Sequence, residues 1–200
     1  MKEILTIGHS TYDLLFFVEI LNKHCIDVIV DVRSVPYSKY SSKFNKENLK
    51  IYLKQKNIYY VYMGDLLGAR YTDPDLLLEN GKVDFNRVQK LKSFEKGINR
   101  LIAGTEKGFN ISLMCSEKDA FDCHRFALIS EFLTKNKIMN VKHIYPEKIL
   151  TQNDLENRMI KKYNKMISNV DLFNPNVDKK QQIKEAYKFR KKDIAYCVNV

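Results

Sequence analysis

Short apolar runs and helical apolar stripes alternate along the first three quarters of the chain. Ile4-Leu5-Thr6-Ile7 reads as a buried strand, and Leu14, Phe17, Val18 and Leu21 then recur at helical spacing. The unit repeats with the strand Val28-Ile29-Val30-Asp31-Val32 and a helix carrying Leu49, Tyr52 and Leu53, for which Asn45 is the expected N-cap. Ile58-Tyr59-Tyr60-Val61-Tyr62 is a third strand. One long helix is predicted from Phe85 through Val88, Leu91, Phe94, Ile98, Leu101 and Ile102, with Gly104 as its terminator. Asn110-Ile111-Ser112-Leu113-Met114-Cys115 is a fourth strand. Asp122 is the expected cap of a helix bearing Phe126, Ile129 and Leu133, and Val141-Lys142-His143-Ile144-Tyr145 is a fifth strand ended by Pro146.

This alternation predicts an α/β fold, a mostly parallel sheet of about five strands with helices on both faces. Beyond residue 146 the pattern becomes helix only, with one helix at Leu155, Met159, Tyr163 and Met166 and another at Ile183, Ala186 and Tyr187 after an Asn174-Pro175-Asn176 break. The expected organisation is an α/β domain over residues 1–146 and a basic helical C-terminal extension over residues 147–200.

Composition adds limits. A chain of 200 residues with 44% hydrophobic content can bury a sizeable core. It has no run near the roughly 18 apolar residues of a membrane span and no signal-peptide pattern at its start, so a cytoplasmic location is expected. Four cysteines are too few for a disulfide scaffold and read as thiols, metal ligands or catalytic groups. The net charge of +10 points to phosphate-rich partners, either nucleic acid or a phosphorylated small molecule, although a bias toward Lys, Asn, Ile and Tyr along the whole chain accounts for it equally. Residues 146–200 carry 12 Lys/Arg against 7 Asp/Glu, half of the net excess, with the densest run at Lys188-Phe189-Arg190-Lys191-Lys192. That run reads as a nucleic-acid contact or as the solvated face of a terminal helix.

Parallel sheets bind ligands beyond the carboxyl ends of their strands, and here those ends are rich in reactive groups. They are Gly8-His9-Ser10, Asp31-Val32-Arg33, Met63-Gly64-Asp65 and Cys115-Ser116-Glu117. Asp31 and Arg33 share a strand face, where they can pair with each other or leave Arg33 to hold an anion. No glycine-rich dinucleotide or phosphate-loop motif is present. The densest constellation is Cys115-Ser116-Glu117 followed by Cys123-His124-Arg125. Placed in the first turn of a helix, beside His124 and Arg125, Cys123 has the surroundings of a low-pKa thiol. Cys115, Cys123 and His124 are also candidate zinc or iron ligands, with His9 or water as a fourth. Their spacing matches no standard zinc ribbon, and adjacent helical residues point about 100° apart, which makes joint ligation by Cys123 and His124 awkward. The segment from Pro36 to Phe44, including Ser38, mixes hydroxyls, aromatics and lysines like a substrate loop.

The ordered set Ile7-Gly8-His9-Ser10, Asp31-Val32-Arg33 with Pro36 and Ser38, Leu66-Leu67-Gly68, and Leu113-Met114-Cys115-Ser116-Glu117 leading to Cys123-His124-Arg125 resembles domain-of-unknown-function family 488 over roughly residues 3–145. The resemblance implies a cysteine- or metal-dependent chemistry. It marks His9, Ser10, Asp31, Arg33, Glu117, Cys123, His124 and Arg125 as matching positions. Ala69 departs from it, standing where a second glycine is common.

Two functions follow as expectations. One is an enzyme for a phosphorylated or nucleobase-containing substrate, with Cys123, His124, Glu117 and His9 catalytic and Ser10, Asp31, Arg33, Ser38 and Arg125 binding substrate. The other is a non-catalytic nucleic-acid-binding or regulatory module whose cysteines are structural or hold a metal.

Overall fold

The computed structural model describes residues 2–168 and 178–198; the Asn174-Pro175-Asn176 break lies outside the described residues. The chain is α/β, with a six-stranded sheet in the order β3-β2-β4-β1-β5-β6, built from β1 (Glu3–Gly8), β2 (Val28–Asp31), β3 (Tyr59–Tyr62), β4 (Ile111–Cys115), β5 (Asn140–Ile144) and β6 (Ile149–Thr151). The first five strands are parallel, and β6 adds to β5 antiparallel. The segment read as helix only therefore contributes a short edge strand as well as helices.

Helices cover both faces. α1 (Leu14–Lys23) and α2 (Lys46–Gln55) pack Phe17, Leu21, Leu49 and Leu53 against Ile7, Ile29, Met114 and Ile144. On the opposite face α3 (Gly64–Leu67) packs on α5 (Lys92–Glu106), which lies on β4, and the C-terminal helix α7 (Gln152–Tyr163) lies on β5 and β6 with α8 (Lys179–Ile194) against it. Leu155, Met159, Ala186 and Tyr187 of α7 and α8 are buried in one continuous core with Phe94, Leu113 and Phe126. Each such fully buried side chain contributes about 1.5–3 kcal/mol. No helix of the described residues is long and apolar enough to cross a membrane.

Local chemistry shifts several boundaries from those read in the sequence. The long helix after residue 84 is two elements. Asp84 accepts from the Asn86 N–H to start α4 (Phe85–Val88), and Leu91 then turns extended (ψ 139°) before α5 restarts. Gln89, at the break, sends its amide to the Leu128 carbonyl and the Glu131 carboxylate. α5 runs past Gly104 and stops where Gly108 takes a positive φ of 87°, a conformation glycine adopts without a Cβ penalty. Asn45 occupies the N-cap of α2, but its side chain serves the preceding loop by accepting from the Ser38 N–H at 2.7 Å.

The largest revision concerns the segment after β4. Asp122 closes a short 3-10 turn (Ala120–Asp122) that Asp119 caps, and Cys123 is extended (φ −130°, ψ 148°). His124 starts the next helix, whose first stretch, Arg125–Ser130, is wound as a π-helix before α6 (Glu131–Lys135). The Ser130 hydroxyl donates to the Arg125 carbonyl five residues back, holding the wide turn. Cys123 therefore precedes the helix rather than occupying its first turn.

Candidate active site

The sheet order places the site. β1 and β4 are adjacent, yet β1 leads toward β2 on one side and β4 leads toward β5 on the other. The chain departs in opposite directions from their carboxyl ends and opens a crevice there. The exits of β1 and β4 are stitched together by the His9 N–H donating to the Cys115 carbonyl and the Ser10 N–H to the Ser116 carbonyl, both at 2.9 Å. Gly8 is where they approach most closely. A Cβ on it would lie 1.8 Å from the Glu117 carbonyl oxygen and 3.0 Å from the Arg125 guanidinium, so only glycine fits.

Three soft donors converge at this crevice. The Nδ1 of His124 lies 3.8 Å from the Cys115 sulphur and 3.7 Å from the Cys123 sulphur, and the three ligand atoms lie within 4.8 Å of one another. Because Cys123 is extended, its side chain and that of His124 converge, and the geometric objection to joint ligation falls away. The opposite ring nitrogen, Nε2, lies 3.1 Å from the carbonyl oxygen of Val32, which can only accept. In the neutral ring the proton therefore sits on Nε2, and Nδ1 faces the sulphurs. The Cys115 thiol donates to Glu117 Oε2 at 2.9 Å.

The cluster is electrostatically uneven. Burial opposes ionisation of Cys123, but the Cys115 hydrogen bond and the charges of Arg125 and His124 overcome it and hold this thiol well below its usual range. Cys115 is pushed well above that range by its hydrogen bond to Cys123 and by burial. Desolvation of its carboxyl end, then the charge on Cys123, raises Glu117. Against burial, which lowers it, the Cys123 sulphur raises His124. Arg125, 1% exposed, donates to the carbonyls of Glu117 (2.8 Å) and Lys118 (3.1 Å) and so ties the two halves of the motif together.

The groups from β1 and β2 form a second, interlocked set. Arg33 grips Asp31 through Nε (2.9 Å) and Nη2 (2.6 Å) and also donates to the Phe44 carbonyl. The Tyr60 hydroxyl donates to the same Asp31 carboxylate at 2.6 Å. His9 stacks on Phe44 with ring centroids 4.3 Å apart, gives its Nδ1 proton to the Ser10 carbonyl and accepts at Nε2 from Arg33. Burial, then the Arg33 charge, lowers its pKa to about 4, so His9 stands as a neutral, fully engaged ring.

A cavity of about 190 Å³ opens on the cluster, lined by Cys115, Glu117, Cys123 and His124 together with Arg33, Arg70 and Tyr196 among others. The structure thus gathers Cys115, Glu117, Cys123, His124 and Arg33 at one cavity. His9, Asp31 and Arg125 stand behind that wall, while Ser10 and Ser38 do not line it. Ser38 is held in the loop before α2, where its hydroxyl accepts from the Tyr40 N–H.

Sequence reasoning missed Arg70, Tyr196 and the Val32 carbonyl. Arg70 stands two residues after the Leu66-Leu67-Gly68 motif and could have been found there, whereas nothing local to Tyr196 reports that the C-terminal segment returns to this cavity. Ala69 keeps an ordinary negative φ and donates its N–H to Ser34 Oγ at 2.9 Å, so the turn forms without the second glycine.

The basic run of α8 is used in packing. Arg190, 2% exposed, pairs with Asp122 and donates to the Phe121 carbonyl, and Lys191 reaches the Glu131 carboxylate at 3.3 Å and Asn86 Oδ1 at 2.8 Å. No curated protein and no solved structure matches the chain. A family model does match, over residues 14–133, which include β2, β4 and the Cys115, Glu117, Cys123, His124 and Arg125 cluster. The chain belongs to the family described as Domain of unknown function DUF488.

Proposed function

We propose that this protein is a metal-dependent enzyme acting on a small phosphorylated or nucleobase-containing substrate, with zinc, or less suitably iron, held by Cys115, Cys123 and His124. One observation carries the reading. Tetrahedral bonds of about 2.3 Å to sulphur and 2.0–2.1 Å to nitrogen give an S···N edge of about 3.6 Å. The two observed separations are 3.8 and 3.7 Å. The imidazole is also oriented as ligating histidines are, with its far N–H anchored on a backbone oxygen. Three protein ligands leave a position toward the cavity, the arrangement of catalytic rather than structural zinc, and a metal there would supply Lewis acidity and an activated water.

In this reading Glu117 moves protons, because its carboxylate borders both the cluster and the cavity. Arg125 keeps the Glu117–Lys118 backbone in place. His9, Asp31, Tyr60 and Arg33 form a rigid wall behind the cavity. A test is a screen of phosphate monoesters and nucleosides for phosphate or ammonia release by the metal-loaded protein. Glu117→Gln should keep its metal and lose about 10²–10⁴ in turnover. Equal turnover by the variant overturns the role of Glu117.

A second reading, a thiol enzyme with Cys123 as nucleophile, is supported by the Arg125 and His124 charges that favour the Cys123 anion. It expects protein purified without metal whose Cys123 alone reacts rapidly with iodoacetamide near neutral pH. Slow alkylation of metal-free protein sinks it.

A further inference from the structure

We infer that Arg70, seated on Tyr196, is an oxyanion-binding group of the same cavity, so that the substrate is a small molecule or end group bearing a phosphoryl or carboxylate. This rests on the reading of the cavity as a reactive site. Besides the two cysteines and Tyr196, five basic or acidic side chains line it: Arg33, Arg70, Glu117, Asp122 and His124. Four have their partners within the protein. Arg33 is paired with Asp31, Asp122 with Arg190, Glu117 with the Cys115 thiol, and His124 with the Val32 carbonyl. Arg70 has no carboxylate within ion-pair distance among the described residues. Its guanidinium lies over the Tyr196 ring, 5.4 Å from the centroid.

That stacking has a chemical consequence. The ring beside the guanidinium carbon restrains the side chain from one side and leaves its N–H groups for an acceptor, which arginine can use to take two oxygens of a phosphoryl or carboxylate group. Both sides of the stack are anchored. The Arg70 N–H donates to Ser34 Oγ at 3.0 Å, which fixes the turn that carries it. The Tyr196 carbonyl accepts from the Val83 N–H, and the Val198 N–H donates to the Gly81 carbonyl, each at 3.0 Å, so the C-terminal segment is pinned as a strap on residues 81–83. The platform lies outside the matched family region while Arg70 lies within it, so Tyr196 tunes a group carried by the family domain.

Size narrows the ligand further. A cavity of about 190 Å³ exceeds the roughly 150 Å³ void that admits benzene and falls below the roughly 300 Å³ lower bound of drug-sized pockets. One ring, or a short chain with one oxyanion, matches the part of the ligand this cavity would hold.

The test is an NMR titration of the full chain at constant ionic strength, with inorganic phosphate in one arm and acetate in the other. It follows the Arg70 Nε–H and the Ser34 and Tyr196 amides. Saturable shifts are expected, with phosphate or acetate as the tighter ligand according to the source of the oxyanion. Arg70→Gln should weaken binding at least about tenfold, with its folded spectrum kept because Arg70 is exposed. Tyr196→Ala should weaken it severalfold. The natural chain stripped of metal with a chelator should still bind the anion, so failure of the metal reading and failure of this one are separable. Unchanged affinity in Arg70→Gln, loss of binding in the metal-free natural chain, or no saturable shift with either anion overturns the inference.

Discussion

The Nε2–H of His124 donates to the carbonyl oxygen of Val32, 3.1 Å away, so the end of β2 decides which ring nitrogen faces the two cysteines that follow β4. This contact joins segments 92 residues apart and leaves Nδ1 as the lone-pair donor. His124→Gln can keep the hydrogen bond to Val32 but has no nitrogen donor at the Nδ1 position. It is expected to fold normally and to lose more than about 100-fold in zinc affinity, measured by competition with a chelating dye. Affinity equal to that of the natural protein would remove His124 from the ligand set.

Stability should fall on mild acidification through His143. Its Nδ1 accepts from Thr6 Oγ1 at 2.8 Å, its Nε2 donates to Gln152 Oε1 at 2.9 Å, and burial pushes its pKa down to about 4 from 6.5. Between those values the unfolded chain binds a proton that the folded chain refuses. The contribution is full above pH 6.5 and is lost as pH drops toward 4, by about 3 kcal/mol. Urea midpoints at pH 7 and 4.5 should diverge less for His143→Gln than for the natural chain. An equal divergence would contradict this, since His9 titrates in both proteins.

Arg190 should be the most costly basic residue of α8 to remove. It is 2% exposed and bonds Asp122, the Phe121 carbonyl and the Tyr163 hydroxyl next to the extended Cys123. Asp122 is half exposed and regains water when its partner goes, so Arg190→Met should cost about 2–3 kcal/mol, less than breaking a fully buried pair. Denaturant unfolding reads the loss, and a cost under about 0.5 kcal/mol would show that α8 docks without this anchor.

Nucleic-acid binding through the basic run of this helix should be weak, because Arg190 and Lys191 are turned inward and only Lys188 and Lys192 of the run remain exposed. Replacing both exposed lysines with alanine is expected to leave affinity for a DNA duplex within about twofold, with a shallow salt dependence. A tenfold fall would mark α8 as a phosphate contact.

Much of this was legible in the sequence because strand and helix periods report burial directly. The five parallel strands and their facing helices follow from Ile4 to Ile7, Val28 to Val32 and Ile111 to Cys115, whose apolar runs need cover on both faces. The site was legible as a set of strand ends, since a parallel sheet delivers them to one edge. Its geometry was not. Whether Cys123 is helical or extended is settled by the Asp119 cap and by the contacts of Asp122 and Phe121 with Arg190, almost 70 residues on, which no local pattern reports. Tyr196 reached the cavity for the same reason, through a tertiary return of the chain.

The most direct test is metal stoichiometry of the 200-residue chain by elemental analysis after zinc loading and gel filtration, repeated with Cys115→Ser and Cys123→Ser, and with cobalt replacing zinc. About one zinc per chain is expected in the natural protein, with intense thiolate-to-cobalt charge transfer and tetrahedral d–d bands, and well under half in either variant. No retained metal in the natural chain, or one equivalent unchanged in both serine variants, would contradict a metal-dependent centre at Cys115, Cys123 and His124.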